Sequence, residues 1–392
     1  MKRIILFSLL LCVISEAASK KKSVEIPILA WYSIPPGEFA TLERYQELRD
    51  AGFTYTFAHI RKKEDAMKAL DLSAKVGLKS VFSCSDLEKN PEETVKKVKN
   101  HPGLGAYFLR DEPGNDSFAE LGKWARRIEQ IDKKHPCYLN LLPSFPFTPD
   151  AYREHLRLFD DVVNLPQVSF DHYPVRMVED DIVVSSTFWE NLEMVSAEAR
   201  RVNKPFWAFA LATAHNPYPI PTIGHLRLQM YSNLAYGAQL LQYFTYWNPE
   251  GTIWNFHQAP ITADGQRSPV YELVREMNKE IQNRAFVFKD CTVESVYHLG
   301  ETIPAGTERL TQLPSRFLEL DTHGNNALVS TLSNDGHRYV VIQNTSITQE
   351  LSLDVRTDNS VKLILRDGTT QRAGKYGPLF VLPIGDILVF EY

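Results

Sequence analysis

From residue 25 to about residue 284, short apolar runs alternate with longer amphipathic, charge-rich runs. Such alternation is the pattern of βα units feeding a parallel sheet. The apolar runs are Ile26 to Tyr32, Thr54 to His59, Ser80 to Cys84, Ala106 to Arg110, Cys137 to Leu141, Gln167 to Asp171, Phe206 to Leu211 and Gln239 to Tyr246. The helical runs between them are Phe39 to Ala51, Glu64 to Val76, Glu92 to Lys99, Ser117 to Lys134, Pro149 to Phe159, Ser186 to Val202 and Leu226 to Tyr236, and Val270 to Asn283 closes the series. Eight strands with helical crossovers in about 260 residues predict a (β/α)8 TIM barrel over residues 25–284. An open nucleotide-binding sheet would place a glycine-rich turn after the first strand, whereas that position reads Trp31-Tyr32-Ser33-Ile34-Pro35-Pro36.

Past Phe286 the period shortens. Cys291 to Leu299, Arg316 to Asp321, Ala327 to Ser333, Arg338 to Gln343, Leu351 to Val355, Val361 to Leu365 and Ile387 to Tyr392 are β-branched runs separated by turn residues. Residues 285–392 therefore predict a C-terminal antiparallel β-sandwich, with hairpin turns at Asn334-Asp335-Gly336 and Asp367-Gly368. At the other end, Met1-Lys2-Arg3, the apolar stretch Ile4 to Ile14 and Ser15-Glu16-Ala17-Ala18 have the layout of a cleaved signal peptide, residues 1–18. A secreted or periplasmic protein is expected. Lipid anchoring through Cys12 is disfavoured by the bulky Leu11 before it, and no later segment has the roughly 18 or more apolar residues of a membrane span.

Composition narrows the chemistry. The net charge of −5 offers no basic surplus for phosphates, so nucleic acid is not expected as a partner. Cys84, Cys137 and Cys291 have neither CxxC nor metal-finger spacing, and the histidines show no HxH or HExxH pattern. No metal or other cofactor is expected.

In such a barrel the working residues sit where strands end. Those tips carry Trp31, His59, Asp111, Glu112, Asn140, Asp171, His172, Tyr173, His215, Tyr246 and Trp247. Aromatic faces stack on sugar rings while carboxylates, amides and imidazoles satisfy hydroxyls, so the expected ligand is an oligosaccharide or polysaccharide. Trp31, His59, Asp111, Asn140, Tyr173, His215, Tyr246 and Trp247 are the substrate-binding candidates. Glycosidic cleavage needs one carboxyl to protonate the leaving oxygen and a second group to supply or activate the nucleophile. Glu112, at the end of the apolar run Gly105 to Leu109, is the candidate acid. Asp111 and Glu112 have a purely structural alternative, capping the following helix or pairing with Arg110.

The string Gly105-Ala106-Tyr107-Phe108-Leu109-Arg110-Asp111-Glu112-Pro113, with Asp171-His172-Tyr173-Pro174 and Tyr243-Phe244-Thr245-Tyr246-Trp247, resembles the barrel of clan A glycoside hydrolases, family 42 β-galactosidase-like proteins above all. The resemblance covers residues 25–284 and implies hydrolysis of O-glycosidic bonds, with Glu112 as acid/base. It also implies a glutamate at the end of the seventh strand as nucleophile. The chain departs there: no acidic residue occurs between Pro205 and Glu250. Asp171 is then the nearest partner candidate and Glu250 the next. Two strands of separation would suit the roughly 6.5–9.5 Å spacing of an inverting pair. Asp171 as a hydrogen-bonding residue for substrate or Arg110 is the competing assignment, and a glycan-binding barrel without catalysis is the competing function.

Overall fold

A computed structural model describes residues 24–250, 254–374 and 378–392. Residues 1–18, the expected signal peptide, lie outside the described residues.

The expected parallel strands form. They are β1 (Ile28–Trp31), β2 (Tyr55–Thr56), β3 (Lys79–Phe82), β4 (Leu104–Asp111), β5 (Cys137–Asn140), β6 (Val168–Phe170), β9 (Phe206–Leu211) and β10 (Leu240–Phe244), with a hairpin of β7 (Val175–Val178) and β8 (Asp181–Val184) inserted after β6. Their order is β5-β4-β3-β2-β1-β10-β9-β6. The edges β5 and β6 meet where Leu141 N–H donates to the Ser169 carbonyl at 2.8 Å, and Leu141 bridges Phe170 in parallel. The ring is thereby drawn into a TIM-like barrel. Its strands are apolar on consecutive positions because both faces are covered: all four residues of β1 are buried, one face toward the barrel axis and the other toward helices.

Helix starts follow from local chemistry. Thr41, Thr148, Thr222 and Ser268 each accept a backbone N–H of the first turn through the side-chain hydroxyl. Pro91, Pro149 and Pro269 occupy first-turn positions, where no amide donor is needed. The helix Phe188–Val202 ends on Asn203 in the left-handed region at φ 53°, a conformation asparagine tolerates.

The C-terminal region is antiparallel. Strands β11 (Thr292–Leu299), β13 (Ala327–Asn334), β14 (His337–Asn344), β16 (Lys362–Ile364), β17 (Thr370–Arg372) and β19 (Ile387–Glu391) form one sheet, and β12 (Phe317–Asp321), β15 (Leu351–Thr357) and β18 (Leu379–Leu382) form a second. Side chains alternate across β13, β14 and β19. Val329, Val340 and Phe390 join Phe317, Leu353 and Val355 in a core shared by the two sheets. Leu328, Val341 and Val389, each one residue away, join the barrel's own core. The larger sheet is buried on both faces.

That docking runs along the helix Ile223–Ala235. Ser232 Oγ donates to Gln343 Oε1 at 2.8 Å, Ser330 Oγ donates to the Ala235 carbonyl at 2.8 Å, and Gln343 Nε2 donates to the carbonyls of Leu228 and Gly385, both at 3.1 Å. Gly385 has φ 68°, and a Cβ there would lie 2.3 Å from the Gly224 carbonyl oxygen, so only glycine allows this approach. Among the described residues no helix is long and apolar enough to cross a membrane.

The β7–β8 hairpin, β17 and β18 do not appear among the elements expected from sequence. Val175–Val178 and Asp181–Val184 are amphipathic runs joined by Glu179-Asp180, with Glu179 at φ 55°. Their mixed polarity conceals them because the hairpin is solvent-facing on one side.

Candidate active site

A cavity of about 1060 Å³ opens at the C-terminal ends of the barrel strands. Its lining includes Trp31, His59, Asp111, Glu112, Asn140, Asp171, Tyr173, His215 and Trp247. Nine of the ten sequence candidates thus meet in one cleft.

The carboxyl cluster begins in β4. Pairing with β5 is regular at Phe108–Tyr138, shifts, and resumes at Asp111–Asn140. Such an irregularity re-aims side chains at a strand end. Glu112 follows at φ 44°, a left-handed conformation uncommon for a residue with a side chain, and its N–H donates to the Asn140 carbonyl at 2.8 Å. Strained backbone held by its surroundings clusters at functional sites. From this position Glu112 lines the same cleft as Asp171 at the end of β6, and each carboxyl acts on the other's protonation. Among the described residues no ion pair links Arg110 to Asp111, Glu112 or Asp171, and the next helical turn is entered from Gly114, not from either acid.

Asp171 is fixed from beneath by a chain of buried side chains. Tyr138 OH donates to Gln242 Oε1 at 2.6 Å, Gln242 Nε2 to Ser169 Oγ at 2.9 Å, Ser169 Oγ to Asn140 Oδ1 at 3.0 Å, and Asn140 Nδ2 to Asp171 Oδ1 at 2.7 Å. Every donor has one acceptor, so the orientation of both amides is set. Tyr138, Ser169 and Gln242 are fully buried in the barrel interior.

Three carboxyls in one recess resist ionisation together. Asp111 is pushed up to about 7, first by removal from bulk water and then by the neighbouring Glu112 charge. Glu112 is raised by burial, with its hydrogen bond to Asp171 acting against the shift. Asp171 is raised well above the ordinary carboxyl range by burial, then by Glu112 and Asp111, while the Asn140 amide pulls the other way. Asp111 and Glu112 stay accessible from the open cleft, although its walls remove much of their hydration. Burial and mutual repulsion thus favour the protonated form of these carboxyls, the form that acid chemistry needs.

The barrel has known relatives in shape. A family model described as beta-galactosidase, glycoside hydrolase family 42, matches residues 116–284. Among solved structures, a β-galactosidase from Bacillus circulans sp. alkalophilus superposes with a TM-score of 0.61 at 11% identity, over 95% of this chain and 99% of that one. A family 42 β-galactosidase from G. stearothermophilus gives 0.56 at 10% identity, over 94% and 98%. The fold is family 42-like. A β-galactosidase from the psychrophilic Marinomonas ef1 gives 0.50 at 12% identity over 66% of this chain, which spans 60% of that enzyme. No curated protein sequence matches the chain. The family match begins after Glu112, so the carboxyl at β4 stands on the geometry alone, whereas Asp171 and His215 lie inside the matched stretch.

Within this glycosidase-like barrel the seventh strand, β9, ends in packing. Ala212, Thr213 and Ala214 are wholly buried, and the Thr213 hydroxyl bonds that of Thr245 at 2.7 Å. Beyond them His215 Nδ1 donates to the Thr213 carbonyl at 3.2 Å, and burial lowers the pKa of the ring. His59, likewise lowered by burial, sits edge-on to Trp31 and Phe108.

Three expectations change. Tyr246 does not reach the cleft: it is fully buried between β10 and the outer helices, its ring 5.4 Å from Phe53. It follows Thr245, whose side chain turns toward Thr213, and the chain beyond β10 leaves the strand alternation. Trp31 lines the floor but is only 1% exposed and is ringed by Phe57, Phe108, Tyr138 and Phe209, so it closes the barrel interior and offers no free stacking face. Finally, the alternative in which Asp111, Glu112 or Asp171 pairs with Arg110 is not met among the described residues.

Sequence reasoning missed several lining groups. Phe145 and Trp254 are 59% and 54% exposed at the rim, and both line the cavity. Trp254 is held there because the segment after β10 pairs with the extension of β9: Ala214 and His257 exchange backbone bonds, and Asn216 N–H donates to the Trp254 carbonyl at 3.2 Å. Glu38, Tyr218 and Phe256 also face the cleft. Among the described residues no group of three His, Cys, Asp or Glu side chains is arranged to hold a metal.

Proposed function

We propose that this chain is a secreted glycoside hydrolase that cleaves O-glycosidic bonds of a plant or host glycan, with Glu112 as general acid and Asp171 as its partner carboxyl. The observation that carries the reading is the cluster of Asp111, Glu112 and Asp171 in one aromatic-rimmed cleft at the strand ends, each carboxyl raised by burial. A carboxyl whose burial favours its protonated form, beside an accessible cavity, is what a leaving glycosidic oxygen requires. The family 42-like fold supports this assignment, and Trp247, Phe145 and Trp254 supply aromatic surface for sugar rings. The basic-apolar N-terminus supports export. We read the two C-terminal sheets as a sandwich that buttresses the barrel, residues 285–392 against 25–284.

A panel of polysaccharides and oligosaccharides assayed for released reducing ends tests the reading. The unmodified protein should release sugar, and Glu112→Gln should abolish release while retaining binding. A second reading, a glycan-binding barrel without turnover, is favoured by the wholly buried alanine and threonine tip of β9. Binding without release by the unmodified protein would select it.

A further inference from the structure

The cleft is larger than one sugar needs, at about 1060 Å³. Pockets of roughly 300–1000 Å³ hold drug-sized ligands, comparable to about two or three linked sugar rings. One side of it is lined by a run of aromatic groups. β6 pairs directly with β9, which sets His172 and Tyr173 on the arc next to His215 and Tyr218. Phe145, in the segment after β5, meets the His172 ring edge-on at 6.0 Å between centroids. Tyr173 meets Tyr218 at 5.8 Å, Tyr218 meets His215 at 4.7 Å, and His215 meets Phe256 at 4.5 Å. Trp254 closes the run, its carbonyl held by Asn216 N–H at 3.2 Å. The β7–β8 hairpin backs this wall, where Met177 N–H donates to the Pro217 carbonyl at 2.7 Å.

The two ends of the wall differ from its middle. Phe145 and Trp254 are more than half exposed, whereas the rings between them are buried or half-buried by one another. Sugar rings stack on open aromatic faces, so the ends are the platforms. Ring order β5, β6, β9, β10 sets the ends two to three strand spacings apart, each about 4.8 Å. A single sugar ring does not reach from one to the other. Asp171 immediately precedes His172 and Tyr173, so it stands along the wall between the platforms, with Asp111 and Glu112 lining the same cleft. An enzyme that trims single units from a chain end needs a pocket that stops at the terminal sugar. Platforms to either side of a carboxyl suit a chain that continues in both directions.

Charge narrows the kind of chain. Among the described residues Glu38, Asp111, Glu112, Asp171 and Glu250 line the cleft, and no lysine or arginine does. A cleft lined by one sign of charge focuses its field and turns away ligands of the same sign, so chains of uronates or sulfated sugars are disfavoured.

We propose that the cleft holds an uncharged polysaccharide along the wall from Phe145 to Trp254 and cuts it at interior linkages. The inference rests on the glycosidase reading above and assigns its substrate class and mode of attack. Each cut breaks one C1–O bond. The hydroxyl of water goes to the anomeric carbon and a proton to the leaving oxygen, so two shorter chains result with no oxidant, reductant or cofactor.

The test follows viscosity and released reducing ends together on β-1,4-galactan, β-1,4-mannan, arabinoxylan and mixed-linkage β-glucan, with polygalacturonate and chondroitin sulfate as anionic polymers and 4-nitrophenyl monoglycosides as short substrates. With the full-length protein, the viscosity of at least one uncharged polymer should collapse while few ends have been released, and the first products should be oligosaccharides of mixed length. Monoglycosides should be turned over with kcat/KM lower by about 100-fold or more, because the binding energy of the remote sugars is lost. Phe145→Ala and Trp254→Ala should each lower kcat/KM on the polymer several-fold and shift the lengths of the first oligosaccharides. Monosaccharide as the sole early product at undiminished viscosity, or preference for the anionic polymers, would overturn this inference and leave the glycosidase reading standing. First products unaltered in both variants would overturn the wall as the path of the chain. Release from neither the polymers nor the monoglycosides would overturn both readings.

Discussion

Asp111→Asn should make the protein more stable at neutral and alkaline pH. The Asp111 carboxyl lies at about 7 in the fold against an ordinary value of 3.8, because it is removed from water beside Glu112. A group whose folded pKa is raised binds its proton more tightly when folded, so its contribution to stability falls as pH climbs from about 4 through about 7 and is level above that. A tenfold change in proton affinity is about 1.4 kcal/mol, which puts the undiscounted cost of ionising Asp111 at about 4 kcal/mol. Asp111 faces an open, solvent-filled cleft, and screening there brings the expected figure down to about 1–2 kcal/mol. Asparagine keeps the shape and removes the charge. Urea unfolding followed by tryptophan fluorescence, at pH 4 and pH 8, reads the difference directly. The variant should match the parent near pH 4 and exceed it by about 1–2 kcal/mol at pH 8. A variant equally destabilised at both pH values would refute the argument that crowded carboxyls strain this site.

The same substitution should also move activity. Asp111 is one of the charges that raise Asp171, so in Asp111→Asn the alkaline limb of the pH–rate profile should shift to lower pH; a stationary limb would dissociate Asp111 from the groups that set it. Gln242→Leu breaks the buried chain between Tyr138 and Ser169 and should cost about 1–3 kcal/mol in thermal or urea unfolding, with kcat falling and KM steady, because Asp171 loses its orientation while the cleft walls stay in place. Arg227→Ala should destabilise by about 3–5 kcal/mol in urea unfolding, since Arg227 is buried against Glu280, which also receives Tyr231 OH at 3.0 Å and pairs with Arg366 at 3.3 Å. Trp254→Ala and Phe145→Ala should each raise KM for a long oligosaccharide several-fold and leave kcat near the parental value, because both rings stand at the rim away from the carboxyls.

The barrel was legible in the sequence because apolar runs of four to eight residues recur at the spacing of βα units, and a strand buried on both faces leaves no other trace than such a run. The site was legible where a strand tip alone decides position, as at Glu112, Asn140 and Asp171. It was illegible where facing decides. Trp31 and Tyr246 both lie at strand ends, yet one points down the barrel axis onto Phe57 and the other outward onto Phe53. Periodicity separates inside from outside only while a strand keeps its alternation, and the segment after β10 does not. The supporting chain had a signal that went unused: Ser169 and Gln242 are polar positions in the apolar runs Val168-Ser169-Phe170 and Leu241-Gln242-Tyr243. A polar side chain inside a barrel must find a partner there, so two of them on neighbouring arcs of the ring imply a network.

That network bears on where a buried carboxyl can stand in this ring. A buried carboxyl persists only if the protein supplies donors to it, and in this ring the donors come from β5, β6 and β10, converging through Asn140 on Asp171. The tip of β9 supplies none from its own residues: Thr213 bonds Thr245, and Ala212 and Ala214 carry no polar side chain. A carboxylate grafted onto the end of β9, as Ala212→Glu, would therefore enter a wholly buried position, displace the packing around it and favour its protonated form. Such a variant should lose stability and gain no retaining activity toward 2-hydroxy glycosides. A gain of that activity would mean that the tip of β9 can hold a charged carboxylate after all, and would refute the argument from burial and missing donors.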